Sequence, residues 1–252
     1  MTTHKTSAGQ NSGSLIKKEK PTIAQKDQVR DMFNSIAPRY DVLNHVLSVG
    51  IDIIWRKKVI RIIKQHDHQT VLDVATGTGD LAIAAAKLNP EKIVGIDISG
   101  EMLKYQAIKL KNKNLENLIE LTLGDGESLP FEESSFDVAM VAFGVRNFEN
   151  LEQGLKEMYR VLKKNGIIVV LEFSKPEKFP VKQFYNFYFK RILPMVGKWI
   201  SRSDHAYNYL PDSVGHFPSG EAFNSFLHEA GFQKTKNRPL TFGIASIYTG
   251  EK

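Results

Sequence analysis

Cysteine is absent from this chain of 252 residues. That excludes disulfides, thiolate zinc sites and cysteine nucleophiles, and with them any base methylation through a cysteine adduct. No apolar run approaches the roughly 20 residues of a membrane-spanning helix. The strand-like runs are short, as in IIVVLEF at 167–173. The N-terminus lacks the apolar stretch of a secretory signal peptide. No internal repeat and no metal-ligand constellation is visible, and no histidine stands out as a base. These absences fit a cytoplasmic protein without a metal. Acidic residues are outnumbered, 28 against 34 basic, giving a net charge of +6. Such a balance permits an anionic partner, nucleic acid or a membrane surface, although a solvated basic surface explains it equally well. The length suits one α/β domain with a large core.

What the chain does have is VLDVATGTGD at 71–80, followed by IVGIDIS at 93–99. An apolar run ends in Asp73, a glycine-rich turn follows, and a second apolar run ends in Asp97. This is the layout of a βαβ nucleotide-binding unit. Two cofactors compete for it. The stretch from Gly77 to Ala82 fits the dinucleotide fingerprint, which would serve an NAD-linked oxidoreductase. Asp73, however, would repel a pyrophosphate at that helix N-terminus. S-adenosylmethionine has no phosphate and carries a sulfonium and an ammonium, so a carboxylate there favours the methyl donor. Asp73 could instead only brace the turn. Gly77 and Gly79 suit left-handed backbone and close ligand approach, or a plain tight turn. Thr78 offers a hydroxyl to the methionine end, or to its own turn. Asp97 would accept the ribose hydroxyls, or else cap the helix that starts near Gly100.

Strands are expected at Val71 to Ala75, Lys92 to Asp97, Ile119 to Leu123, Phe136 to Phe143 and Gly166 to Phe173, with helices near 80–88, 100–112 and 150–163. This alternation predicts a doubly wound parallel sheet, with ligands at the carboxyl ends of the strands. Residues 1–20 read as a disordered tail, and 21–252 as a single domain. An N-terminal helical cap covers 22–65, with a break near Gly50. An aromatic and basic insertion at 176–210 precedes a helix at 219–230 and two final strands near 232–238 and 244–249.

Asp73, Asp97, Asp125 and Arg146 all fall at or just beyond strand ends. Asp125 could accept from an adenine amino group beside the exposed backbone of Gly126, or the pair could be a simple turn. Arg146, in FGVRN, is the candidate for electrostatic work, since a guanidinium stays charged and binds oxyanions bidentately. A structural salt bridge is the competing use. Tyr40 in the cap could close over the cofactor or touch the substrate, or pack in the core. His45 reads as a surface or capped residue. The segment 184–199, with its aromatics and Lys182, Lys190, Arg191 and Lys198, could cover a hydrophobic substrate and touch an anionic bilayer; a packed lid helix is the alternative. Nucleic acid is disfavoured, because single-strand binders set their aromatics on exposed strands. The Asn/Asp-Pro-Pro-aromatic turn of amino-methylating enzymes is missing.

RYDVLNHVLSVGIDIIW, LDVATGTGD, FGVRNF, MYRVLKKNGIIVVLEFSKP and DHAYNYLPDSVGHFPSGEAF together resemble the ubiquinone/menaquinone biosynthesis C-methyltransferase family, from about residue 25 to the C-terminus. The glycine turn is shared by class I methyltransferases generally; the last two segments are specific to the family. The resemblance implies a Rossmann-like fold, S-adenosylmethionine, and methylation of a ring carbon of a polyprenylated quinol. That quinol is demethylmenaquinol, or a methoxy-benzoquinol in ubiquinone makers. It implies cofactor contacts at Thr78, Asp97, Asp125 and Gly126, and substrate roles for Tyr40 and Arg146. A location at the inner face of the membrane would suit such a substrate, and the oligomeric state stays open. The chain departs from the family at Ala75-Thr76, where Ala-Gly is common, at Ala142, where some members carry a cofactor-contacting serine, and at Ser203, often asparagine.

Overall fold

The structure, a computed structural model, describes residues 26–176, 178–187, 191 and 205–252. The tail at 1–20, the first residues of the cap, most of the aromatic segment at 184–199 and Ser203 lie outside the described residues.

Seven strands form one sheet: β1 (Thr70–Val74), β2 (Lys92–Asp97), β3 (Ile119–Leu123), β4 (Phe136–Ala142), β5 (Leu162–Phe173), β6 (Gln233–Leu240) and β7 (Ala245–Glu251). Their order is β3-β2-β1-β4-β5-β7-β6. The first five pair in parallel, and β7 runs antiparallel to both β5 and β6. The sheet is therefore mixed, as the two closing strands require. Its order reverses between β1 and β4, which opens a crevice at their carboxyl ends.

The parallel strands read as near-continuous apolar runs because both faces are covered. Leu72, Val74, Ala139, Val141, Ile168 and Val170 face one core, shared with Leu155 and Met158 of α6 (Leu151–Val161) and Phe223 and Leu227 of α9 (Glu221–Glu229). The alternate residues Val71, Val138, Met140, Ile167 and Val169 face a second core with Val59 and Ile63 of α3 (Ile51–Ile63) and Leu81 and Ala85 of α4 (Asp80–Ala85). The helix α5 (Gly100–Asn112) adds Leu110 to that second core.

The cap contains α1 (Lys26–Ile36), a 3-10 turn at Ala37–Arg39, α2 (Tyr40–Leu47) and α3. Gly50 breaks the pattern as expected: it takes φ +74 and caps α3. The insertion contributes α7 (Val181–Phe187) and α8 (His205–His216). Among the described residues, no helix is long and apolar enough to cross a membrane.

Candidate active site

The carboxyl ends of β1, β2, β3 and β4 bound a cleft with two lobes. The larger holds about 670 Å³ of empty space and the smaller about 350 Å³, both partly open to solvent. Tyr40, Ala75, Gly77, Ala142 and Phe143 line both.

The turn between β1 and α4 has three left-handed residues, Ala75, Gly77 and Gly79, at φ +51, +58 and +84. Ala75 carries a Cβ in that region, a strain that persists only when its surroundings fix it. A Cβ on Gly144 would stand 2.7 Å from that of Ala75, so the exits of β1 and β4 meet with no side chain between them. This backbone presents the Gly77 N–H to Asp97, whose Oδ2 accepts it at 2.8 Å; Oδ1 accepts the Ser99 N–H at 2.8 Å. The capping alternative for Asp97 is taken by Ser99, whose hydroxyl accepts the Met102 N–H at 3.2 Å. Asp97 lines the larger lobe. Burial pushes its carboxyl upward, against the stabilising N–H bonds of Ser99 and Gly77.

Asp73 braces the turn. It accepts from Thr76 Oγ1 at 2.7 Å and lines the smaller lobe. Burial pushes its carboxyl up to about 7, although the Thr76 hydroxyl and the Ala82 N–H favour the charged form. Gln106 supports Thr76 from α5 at 3.2 Å.

The Thr78 hydroxyl bonds Asp41 of the cap, rather than its own turn. Lys109 ties Asp41, at 2.9 Å, to Asp80. The hydroxyl is therefore committed to the cap, though Thr78 still lines the smaller lobe. Next to it, His45 meets Asp52 at 2.8 Å, and Arg56 pairs with Asp52 and Asp80. His45, Asp52 and Asp80 lie close enough together to suggest a cation site, but Arg56 and Lys109 already supply the positive charge.

Asp125 and Gly126 line the larger lobe. Asp125 makes the turn, accepting the Glu127 N–H at 2.9 Å, and its other oxygen pairs with Lys26 of α1. A Cβ on Gly126 would stand 2.9 Å from Phe148 Cζ and from Val74 Cγ1, so side chains pack tightly against this stretch of the lobe's wall.

Tyr40 lies between the lobes, edge-on to Phe33 at 6.0 Å. Burial raises the pKa of its phenol; Arg146, a hydrogen bond with Asn44, and Arg56 oppose that rise. Arg146 itself lines neither lobe. Its Nη1 pairs with Glu172 Oε1 at 2.8 Å and also bonds the Phe143 carbonyl. The salt-bridge use of this residue is thus realised, because the 3-10 turn at Val145–Asn147 carries it over β5, where Glu172 is fully buried. Its neighbour Asn147 does line the larger lobe and accepts from Tyr209 of α8 at 3.0 Å.

Sequence reasoning missed Lys26, Ser99, Tyr209 and Glu172. Glu172 left a signal, as the one acid inside the run IIVVLEF, and so did Ser99, a serine just ahead of the expected helix at 100–112. Lys26 and Tyr209 depend on contacts far apart in sequence.

The donor set discriminates between the two cofactors. The Gly77 amide is occupied by Asp97, and two buried carboxylates face the lobes, so the turn is unsuited to a pyrophosphate. A ligand carrying hydroxyls and positive charge fits.

The comparisons agree. A profile of the ubiE/COQ5 methyltransferase family matches residues 21–252. The chain belongs to this family. Relatives include the demethylmenaquinone methyltransferase of Bacteroides fragilis, 46% identical over 90% of this chain and 94% of that protein. The ubiquinone/menaquinone biosynthesis C-methyltransferase UbiE of Geotalea daltonii is 46% identical over 90% of this chain and 97% of that one. Among solved structures, a SAM-dependent methyltransferase of Thermotoga maritima superposes with TM-score 0.63 at 20% identity, over 88% of this chain and 99% of that one. One from Aquifex aeolicus gives 0.57 at 19%, over 78% and 88%. These likenesses establish the class I, Rossmann-like fold. The family member described here is an S-adenosylmethionine-dependent methyltransferase.

Proposed function

We propose that this methyltransferase acts on a ring carbon of a polyprenylated quinol, converting demethylmenaquinol to menaquinol. The observation that carries the reading is the 46% identity to the Bacteroides fragilis demethylmenaquinone methyltransferase along nearly the full length of both chains. Asp97 would hold the ribose, Asp125 and Gly126 the adenine, and Asp73 with the Gly77–Gly79 turn the methionine end. S-adenosylmethionine bound there supplies an electrophilic methyl group.

The chain's own residues must make the ring carbon nucleophilic. A phenol has a pKa of about 10, and its ring carbon reacts poorly until the proton leaves. The positive charge of Arg146 opposes the effect of burial on Tyr40, Tyr185 and Tyr209 alike. A substrate phenol among those side chains experiences the same field, which favours its oxyanion. Tyr40, between the lobes, orients ring against methyl donor, and such orientation is worth roughly 7–11 kcal/mol.

The polyprenyl tail points to a bilayer. Phe179, Phe187 and Phe242 are exposed, and Lys178 and Lys182 are exposed near the first two. This supports peripheral contact with an anionic surface. Flotation with anionic and neutral vesicles tests it: stronger recovery with the anionic ones supports the contact, and none with either removes it.

The test of function is transfer from S-adenosylmethionine to demethylmenaquinol and to a demethylated ubiquinone precursor under reducing conditions, with NMR locating the new methyl. A ring-carbon methyl on the naphthoquinol supports the reading. Activity on the benzoquinol extends it to the ubiquinone pathway. Cofactor binding without transfer to either overturns the quinol.

A further inference from the structure

Arg146 is held on one side only. Its Nη1 is taken by Glu172 Oε1 at 2.8 Å and by the Phe143 carbonyl. Its backbone N–H reaches Glu172 Oε2 at 3.3 Å, and Glu172 Oε1 also accepts the Phe173 N–H at 2.8 Å. The guanidinium carbon lies 5.5 Å from the centre of the Phe173 ring. The pair is shut away from water, with side-chain exposures of 6% and 0%. Yet Nε is buried without a hydrogen-bond partner. Buried donors are nearly always satisfied, and leaving one unmade is costly. Nε and Nη2 form the side edge of the guanidinium, the fork that grips an oxyanion bidentately. The carboxylate that fixes Arg146 therefore occupies the opposite nitrogen and leaves Nε, half of that fork, without a partner.

We infer that Glu172 is a positioning residue: through Nη1 and the backbone it anchors Arg146, which lines neither lobe, beside Phe143 and Asn147, which line the larger one, and so holds the Nε–Nη2 edge for the oxyanion of the substrate. This rests on the quinol reading above for the identity of that oxyanion, but not for the geometry. Arg146 is fixed by a fully buried acid on the neighbouring strand, so its edge needs no reorganisation when negative charge develops. Glutamine at 172 keeps the shape but replaces one acceptor oxygen with an N–H₂ that faces donors. The guanidinium then shifts, and a displacement of about 1 Å can cost roughly 100-fold in rate.

The test uses the full-length protein loaded with S-adenosylhomocysteine and reads the ionisation of bound 4-nitrophenol by absorbance. It compares wild type, Glu172→Gln, Glu172→Asp, Arg146→Lys and the Glu172→Gln/Arg146→Lys double variant, with cofactor affinity reporting that each is folded. The inference expects wild type to lower the phenol's apparent pKa. Glu172→Gln abolishes that shift while cofactor affinity stays within about threefold, Glu172→Asp restores part of it, and Glu172→Gln adds nothing in the Arg146→Lys background. In turnover assays, kcat falls and KM moves little. A wild-type protein that does not perturb the phenol overturns the inference. So does a Glu172→Gln variant that still does, or losses that add in the double variant. Because the absorbance readout needs no methyl transfer, a wild-type protein that shifts the phenol but leaves demethylmenaquinol untouched removes the proposed substrate and keeps the role of Glu172.

Discussion

Replacing Gly79 with alanine separates two costs that the turn imposes. Gly79 has φ +84, and a Cβ there would lie 2.5 to 2.6 Å from Nε2, Cδ and Cγ of Gln106. Left-handed backbone costs an alanine about 1–2 kcal/mol. Gln106 is fully buried and bonds Thr76, which in turn bonds Asp73, so it cannot swing into solvent. Overpacking of this kind costs about 1–3 kcal/mol. The sum is about 2–5 kcal/mol, or roughly 4–20 °C in Tm for a domain of this size. Gly77 provides the internal control. It shares the left-handed φ, at +58, but its added Cβ meets only the Tyr40 ring, at 3.8 Å, so Gly77→Ala carries the backbone cost alone. Urea unfolding monitored by circular dichroism measures both variants, together with Gln106→Ala and the Gly79→Ala/Gln106→Ala pair. The clash predicts that the double variant loses about 1–3 kcal/mol less than the sum of its parts. Gly79→Ala within about 0.5 kcal/mol of wild type, or strict additivity with Gln106→Ala, would refute the reasoning.

Asp97→Asn should weaken S-adenosylmethionine binding by about 3 kcal/mol, roughly 100-fold in Kd by calorimetry, through two lost charge-assisted ribose bonds; a change under about fivefold removes Asp97 from the ribose role. Asp73 should make cofactor affinity depend on pH. Its carboxyl sits at about 7 in the folded protein against an ordinary 3.8, so it favours the fold fully below the ordinary value and that contribution is lost as pH rises through about 7. A bound cation favours the ionised form, so affinity should increase from pH 6 to 8 with proton release, and Asp73→Asn should lose that part of the release even though Asp97 is also pushed upward. An unchanged proton release in Asp73→Asn assigns the titration elsewhere. Trp55→Phe removes the 2.8 Å bond from Nε1 to Thr241 Oγ1, which ties α3 to the β6–β7 turn. A loss of about 1–3 kcal/mol is expected in the same unfolding assay, and no loss means that packing alone holds the cap there.

Much of the fold could be read from local pattern. Apolar runs ending in Asp73 and Asp97, spaced by a helix, identify parallel strands because both faces of such a strand are buried. β1 to β4 lie within a residue of their expected limits. β5 starts earlier, at Leu162, because its first residue pairs with Phe136 ahead of an irregular register; polar Lys163, Lys164 and Asn165 hide that extension from a hydropathy pattern. The carboxylates that line the two lobes were legible because strand ends place them by period alone. The partners of Thr78 and Arg146 were not. Asp41 and Lys109 reach Thr78 from 37 and 31 residues away, and nothing in FGVRN shows that Glu172 waits beneath it.

The sequence by itself determined the five parallel strands, the left-handed glycine turn and the acids at the strand ends, since each depends on residues close together in the chain. Only the tertiary structure decided how those groups are used. It gave the hydroxyl of Thr78 to the cap, set Lys26 of α1 against Asp125, and paired Arg146 with a buried glutamate. Those outcomes follow from which groups the packing of the cap and the β4–β5 pair brings within hydrogen-bonding distance; at Arg146 and Glu172 this happens away from water, where an unpaired charge is too costly to leave.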